Sequence, residues 1–297
     1  MFKWQKLIFP IALAVFLGVY LLYFCKKSNW KWPILEITNQ QVIQKGKKVL
    51  SYSLFGSFDK YGDHIIRIAD ESNKSELFGK EGWQVRIYTD LDVPVEFEKK
   101  IKALNPRLLF IKINNKERTY NAMIWRFFPM KETDLDVSCF RDLDSPIIRR
   151  GEMAVREYLA SKFFFHGMRD HPDHISKIMG GLWCIKNKQE PRFAKKLLEL
   201  VVKNAQKRSP GVKEASRGND QGVLNRYVWP LVLNNSMTHD SFYCNWAPGG
   251  VPFPTQKNFP DMRFVGCYYP CNKVDYTKLL ACPEKCRPKQ HKDWKYC

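Results

Sequence analysis

Three Asp-Leu-Asp triplets supply this chain's paired carboxylates: Asp90-Leu91-Asp92, Asp134-Leu135-Asp136 and Asp142-Leu143-Asp144. Two carboxylates one residue apart can hold a hard divalent cation through oxygen, leaving its other positions to water or to the phosphates of a substrate. The same pattern also serves as a helix cap beside a solvated aspartate. The elements around each triplet separate these readings.

The stretch Lys48 to Phe55, KVLSYSLF, reads as a buried strand ending at Gly56, and a helix-length segment runs from about His64 to Phe78. Trp83 to Thr89 is a second strand, Val95 to Leu104 an amphipathic helix stopped by Asn105-Pro106, and Arg107 to Ile113 a third strand. Tyr120 to Phe128 reads as a helix ended by Pro129, and Asp136 to Phe140 as a fourth strand. Strands alternating with helices at this spacing predict an α/β fold with a mainly parallel sheet. Ligands bind such sheets at the carboxyl ends of the strands.

That rule ranks the triplets. Asp134 and Asp136 precede their strand and sit at the wrong end. Asp90 and Asp92 follow the second strand; Asp90 is a candidate contact for a nucleotide base or ribose, or part of a loop before Pro94. Asp142 and Asp144 follow the fourth strand and precede Ser145-Pro146 and a helix expected over Glu152 to Lys162. They are the candidate metal pair. A cation there would neutralise charge developing on a leaving diphosphate.

The formal net charge is +19, spread along the chain rather than gathered in a tail. It points to acidic ligands such as nucleotide phosphates or anionic glycans. At the N-terminus, Leu7 to Phe24 is an uncharged apolar run of 18 residues, the lower limit for a membrane span. It ends in Tyr-Phe-Cys-Lys-Lys, a poor cleavage context for a signal peptide. Nine cysteines are present, six of them after residue 240, with C-x3-C-x10-C-x3-C-x10-C spacing from Cys267 to Cys297. An even, closely spaced set predicts disulfides in an oxidising compartment, with zinc as the alternative. Two glycosylation sequons, at Asn73 and Asn234, point the same way. The expected organisation is a cytoplasmic tail over 1–6, a signal anchor over 7–24, a stem over 25–47, a catalytic-sized domain over 48–245 and a Cys-rich extension over 246–297. It describes a single-pass type II membrane protein of the Golgi or ER lumen. The anchor argues against nucleic acid as the partner of the positive charge.

The segments CFRDLDSPIIRRGEMAVREYLAS, MRDHP, GGLWC, NDQGVLNRYVWP and THDSF, in that order, resemble a group of GT-A-type glycosyltransferase-like proteins distantly similar to the glycogenin-like families. The resemblance covers roughly residues 48 to 265. It implies a nucleotide-binding GT-A-like domain, a nucleotide-sugar donor, a glycan or protein acceptor, and a divalent metal, Mn2+ ahead of Mg2+. By the same resemblance Asp142 and Asp144 are metal ligands completed by His239, an ordinary nitrogen donor for manganese. Asp220 and Gln221 match a pair near the anomeric centre. Asp170 is a candidate for binding sugar hydroxyls or acting as a base. Arg126, Arg141 and Arg169 are candidates for the diphosphate, which arginine grips with two prongs. Gly180 and Gly181 would let the backbone approach a sugar. The loop after the triplet departs from the family pattern, reading SPIIRR where an arginine closer to Ser145 is expected. Two rivals stand beside this reading: an inactive glycan-binding member of the same fold, and a metal-dependent nucleotidyl- or phosphotransferase. No P-loop pattern supports the latter.

Overall fold

The computed structural model describes residues 48–115, 117–208, 218–257, 262–271 and 281–297. The expected anchor and stem lie outside these residues. Among the described residues no helix is long and apolar enough to cross a membrane.

Eight strands form one sheet: β1 (Lys48–Leu54), β2 (Gln84–Thr89), β3 (Leu108–Lys112), β4 (Val137–Arg141), β5 (Phe165–Arg169), β6 (Leu182–Ile185), β7 (Ser236–Asp240) and β8 (Gly250–Val251). Their order is β3-β2-β1-β4-β6-β5-β7-β8. Only β6 runs antiparallel to its neighbours, so the other seven strands end at one common edge. The strand order reverses at β1, with β2 on one side and β4 on the other, which opens a crevice at that edge.

The sheet is covered on both faces, which is why β1 and β2 read as nearly continuous buried runs. On the first face Leu50, Tyr52, Cys139, Met168 and Cys184 pack with Ile65 and Ile68 of helix α1 (Phe58–Lys74) and with Ala154, Val155 and Tyr158. The latter three belong to a later helix on the same face. Helix α2 (Val95–Leu104) links β2 to β3, and α3 (Arg149–Ala160) links β4 to β5. The Glu71 carboxylate accepts the Ile147 backbone N–H at 2.8 Å, tying α1 to the loop before α3. On the second face, alternation along the strands presents Phe140, Phe165 and Trp183, with Phe127 and Trp229 against them. Helix α4 (Pro191–Arg208) follows β6, and α5 (Asn219–Val223) carries Asp220 and Gln221.

Several sequence expectations are corrected. The segment expected as a helix ending before Pro129 is a 3-10 helix, Ala122–Lys131, with Pro129 inside it. Its geometry lets Trp125, Arg126, Phe127 and Phe128 all be buried, and Ser51 and Ser53 of β1 hydrogen-bond its backbone. Helix α3 starts at Arg149, ahead of the expected Glu152. Residues past 245 are built into the sheet domain: β8 pairs with β7, and Phe253 and Val265 join the core.

The cysteine reading holds, with one addition. Cys244–Cys286, Cys267–Cys271 and Cys282–Cys297 are disulfides. A fourth, Cys139–Cys184, joins β4 to β6 at directly opposed positions of the ladder. The sequence spacing hid it, because its partners are 45 residues apart.

Candidate active site

Four distant stretches meet at the carboxyl edge between β4 and β6. The 3-10 helix contributes Arg126. Its N–H donates to Ser53 Oγ at 2.9 Å and its C=O accepts from Ser51 Oγ at 2.6 Å, so β1 fixes the backbone. The guanidinium is buried and bridges two carboxylates, Asp142 after β4 and Asp220 on α5, the latter at 2.5 Å. Burial penalises the guanidinium's charge, but the two carboxylates outweigh that penalty and raise its pKa.

The glycine pair explains how the carboxylates come so close to the backbone. Because β6 runs antiparallel, its amino end lies at the same edge as the end of β4. A Cβ on Gly181 would sit 2.1 Å from Asp142 Oδ2, and one on Gly180 would sit 2.7 Å from Asp220 Oδ2. At Gly181 a side chain would also meet the Asp142 backbone nitrogen at 2.8 Å, and at Gly180 it would have to push the Asp220 carboxylate aside. The approach expected toward a sugar is thus made toward the site's own carboxylates. Gln221 Oε1 accepts the Gly180 N–H at 3.3 Å, and its Nε2 donates to Ser176 Oγ at 2.9 Å. Asn225 completes the clamp: it accepts the Ile178 N–H at 3.0 Å and donates to the Ile178 and Gln221 carbonyls at 2.7 Å. Sequence reasoning missed Asn225; its signal is the Gln-x-x-x-Asn spacing of QGVLN, which puts it one helical turn past Gln221.

Asp144 faces the other side of the crevice. Burial and the neighbouring charge of Asp142 raise its pKa, while His64 opposes the rise. Its backbone C=O accepts from Tyr269 N–H at 2.8 Å. Mutual repulsion between two carboxylates at a strand end is what a dication relieves. Among the described residues no group of three or more His, Cys, Asp and Glu side chains is placed to hold a metal ion. Two carboxylates without a third protein ligand suit a hard ion completed by phosphate and water, not a tetrahedral N/S site.

The structure removes His239 from this set. It is fully buried on β7, where Nδ1 lies 2.8 Å from His166 Nε2 and Nε2 lies 3.2 Å from Glu157 Oε2. Both ring nitrogens are engaged on the first face of the sheet, under α3. Asp170 is also corrected. It reaches the right edge, but its carboxylate is fully buried among five donors: Arg150 at 2.8 and 2.9 Å, Lys257 at 2.9 Å, Ser241 Oγ at 2.6 Å and the Val265 N–H at 2.9 Å. Burial alone would raise its pKa; the cations and hydrogen bonds hold it well below the usual carboxylate range. It has no capacity left to act as a base.

The remaining arginines differ. Arg169 is buried against Asp240 at 2.6 Å and the Lys177 carbonyl at 2.8 Å, on the second face. Arg141 alternates to the first face, donating to the Phe140 and Trp183 carbonyls at 2.8 and 3.2 Å beneath the Ser145–Ile148 turn. Burial lowers its pKa to about 10. Asp90 lies at the same edge two strands from β4, and Arg118 is its ion partner at 3.8 Å.

No protein-family profile matches the chain, and no curated protein is detectably similar in sequence. Among solved structures, the glycosyltransferase GlyE of Streptococcus pneumoniae TIGR4 is 13% identical with a TM-score of 0.43; the match covers 65% of this chain and 46% of GlyE. This chain therefore spans less than half the length of that neighbour. The galactosyltransferase LgtC, in complex with donor and acceptor sugar analogs, is 10% identical with a TM-score of 0.44, covering 65% of this chain and 73% of LgtC. Core-mannan synthase A of Aspergillus fumigatus, in its Mn/GDP form, is 5% identical with a TM-score of 0.38, covering 71% of this chain and 79% of its own. The neighbours are glycosyltransferases, but likeness at these scores is too low to decide the chemistry. The site's own geometry must carry it.

Proposed function

We propose that this chain is a metal-dependent glycosyltransferase that moves a sugar from a nucleotide diphosphate sugar to a glycan or protein acceptor. The observation that carries the reading is the convergence of Asp142, Arg126, Asp220, Gln221 and the Gly180-Gly181 turn at the switch-point edge, beside Asp144. Asp142 and Asp144 would hold a divalent cation, Mn2+ ahead of Mg2+, and the cation would supply charge neutralisation for the leaving diphosphate. Arg126 stands between Asp142 and Asp220 and links the phosphate side of the site to the sugar side. On this reading Asp220 and Gln221 would face the donor hydroxyls and the anomeric carbon. Gly180 and Gly181 would let the Asp220 and Asp142 carboxylates sit against the backbone, where a side chain would displace them.

The topology proposed with it is type II, single-pass, with the domain in the Golgi or ER lumen. Four disulfides and exposed asparagines at both sequons support it. The test is a donor screen. The full chain, purified in detergent with Mn2+, is offered the common nucleotide sugars and the nucleoside triphosphates. Release of nucleoside diphosphate from one sugar donor is expected. Turnover of a triphosphate with none of a sugar nucleotide would make the chain a nucleotidyl- or phosphotransferase instead.

A further inference from the structure

The described residues expose few large apolar side chains, and two of them are adjacent: Tyr268 at 60% and Tyr269 at 43%. They stand in the loop closed by the Cys267–Cys271 disulfide. The loop is bound to the candidate metal pair, because the Tyr269 N–H donates to the Asp144 carbonyl at 2.8 Å. The Cys271 N–H closes a turn onto the Tyr268 carbonyl at 2.8 Å. Around the two rings stand His64, 6.1 Å from Tyr268 and 6.2 Å from Tyr269, and Tyr61, 6.1 Å from His64. The Arg67 guanidinium lies 4.6 Å from the Tyr269 ring centre and also donates to the Leu143 carbonyl. An aromatic wall is thus anchored to the Asp142–Asp144 loop from the side opposite Arg126 and Asp220.

We propose that Tyr268 and Tyr269 form the nucleobase subsite of the donor. The inference rests on reading the site as one for a nucleotide diphosphate sugar. Such a molecule is linear: sugar, diphosphate, ribose, base. With the sugar on the Arg126–Asp220–Gln221 side and the diphosphate at Asp142 and Asp144, the nucleoside extends past Asp144, toward the tyrosines. An acceptor must approach the sugar and so comes from the other side. Flat bases stack on exposed aromatic rings, and Arg67 behind Tyr269 adds a cation to the same wall. The disulfide and the Asp144 hydrogen bond hold the loop in place before any ligand arrives, which lowers the ordering cost of binding.

The experiment measures affinity of the full chain, in detergent with Mn2+, for UDP, GDP, CDP and ADP and for inorganic pyrophosphate, by calorimetry. The wild-type chain should prefer one diphosphate nucleotide. Tyr269→Ala and Tyr268→Ala should each weaken that nucleotide by about five- to a hundredfold. They should leave pyrophosphate within twofold, which also verifies that the variants are folded. Tyr269→Phe should keep the wild-type affinity. If both alanine variants bind the nucleotide as the wild type does while Asp144→Asn abolishes binding, the tyrosine subsite is wrong and the site reading survives. If the wild-type chain binds pyrophosphate but no nucleotide above it, or binds neither, the donor reading fails and the subsite with it.

Discussion

Arg126 and Asp220, 94 positions apart, form a buried ion pair at 2.5 Å, and the same guanidinium holds Asp142. A lone buried charge costs several kcal/mol, so removing one partner leaves the other stranded. The pair therefore serves both stability and the site. Arg126→Ala should destabilise the chain by about 3 to 5 kcal/mol, read by urea unfolding. Arg126→Lys keeps one charge but not the two-pronged bridge. It should unfold nearer to wild type and still lose most activity. Full activity in the lysine variant would show that the bridge is only structural.

For the carboxylate pair, Asp144→Asn keeps shape and removes a charge from the cation's surroundings. Transfer should slow by at least about a hundredfold, roughly 2.7 kcal/mol of barrier. Asp136→Asn is the control. Asp136 precedes β4 at the far edge and, among the described residues, pairs with Lys188 at 3.6 Å near the surface. Its substitution should leave the rate intact and change stability by less than about 0.5 kcal/mol. A reversed pattern would place the site at the wrong edge of the sheet.

His239 and Asp170 should now behave as structural residues. His239→Ala opens a hole beside His166 and Glu157, so it should lower stability, and added Mn2+ should not restore the lost activity. Asp170→Asn strands Arg150 and Lys257 in the interior and should cost about 3 to 5 kcal/mol. Activity per folded molecule should remain near wild type in Asp170→Asn at low temperature. Manganese rescue of His239→Ala would return the histidine to the metal site.

Acid sensitivity follows from the buried histidines. Burial lowers the pKa of His174 to about 4, and it pushes His166 and His239 down as well. A group whose folded pKa is depressed takes up its proton first in the unfolded chain. Stability is therefore lost as pH falls below about 6.5, the ordinary histidine value, and the loss from His174 continues to about pH 4. Between pH 7.5 and 5.5 His174 alone should cost about 1 kcal/mol. Unfolding in urea across that range checks it. His174→Asn should flatten the slope; an unchanged slope would locate the acid sensitivity elsewhere.

The topology has its own test. Asn73 and Asn234 are both exposed, at the end of α1 and before β7. Expression in a secretory system should give a product whose gel mobility shifts on endoglycosidase treatment. The shift should shrink stepwise in Asn73→Gln and Asn234→Gln. Digestion of the domain by protease added outside intact microsomes would overturn the lumenal assignment.

The α/β class, the position of four strands and the place of Asp142-Leu143-Asp144 just after its strand were legible in the sequence. These properties are local: apolar runs, breakers such as Gly56 and Asn105-Pro106, and which end of a run carries the acids. The tail's disulfide-forming character was equally legible, because closely spaced cysteines announce themselves. What each polar side chain does was decided by tertiary structure. In a strand, neighbouring residues point to opposite faces. One step along β4 sends Arg141 under the Ser145–Ile148 turn and Asp142 to Arg126. One step along β5 separates Arg169, paired with Asp240, from Asp170, buried among Arg150, Lys257 and Ser241. His239 carries the right chemistry for a metal, but β7 stands three strands from β4, and its nearest partners are His166 and Glu157. A linear motif states which groups a chain owns. The sheet order and the alternation of its faces determine which of those groups meet, because their partners lie scores of residues away.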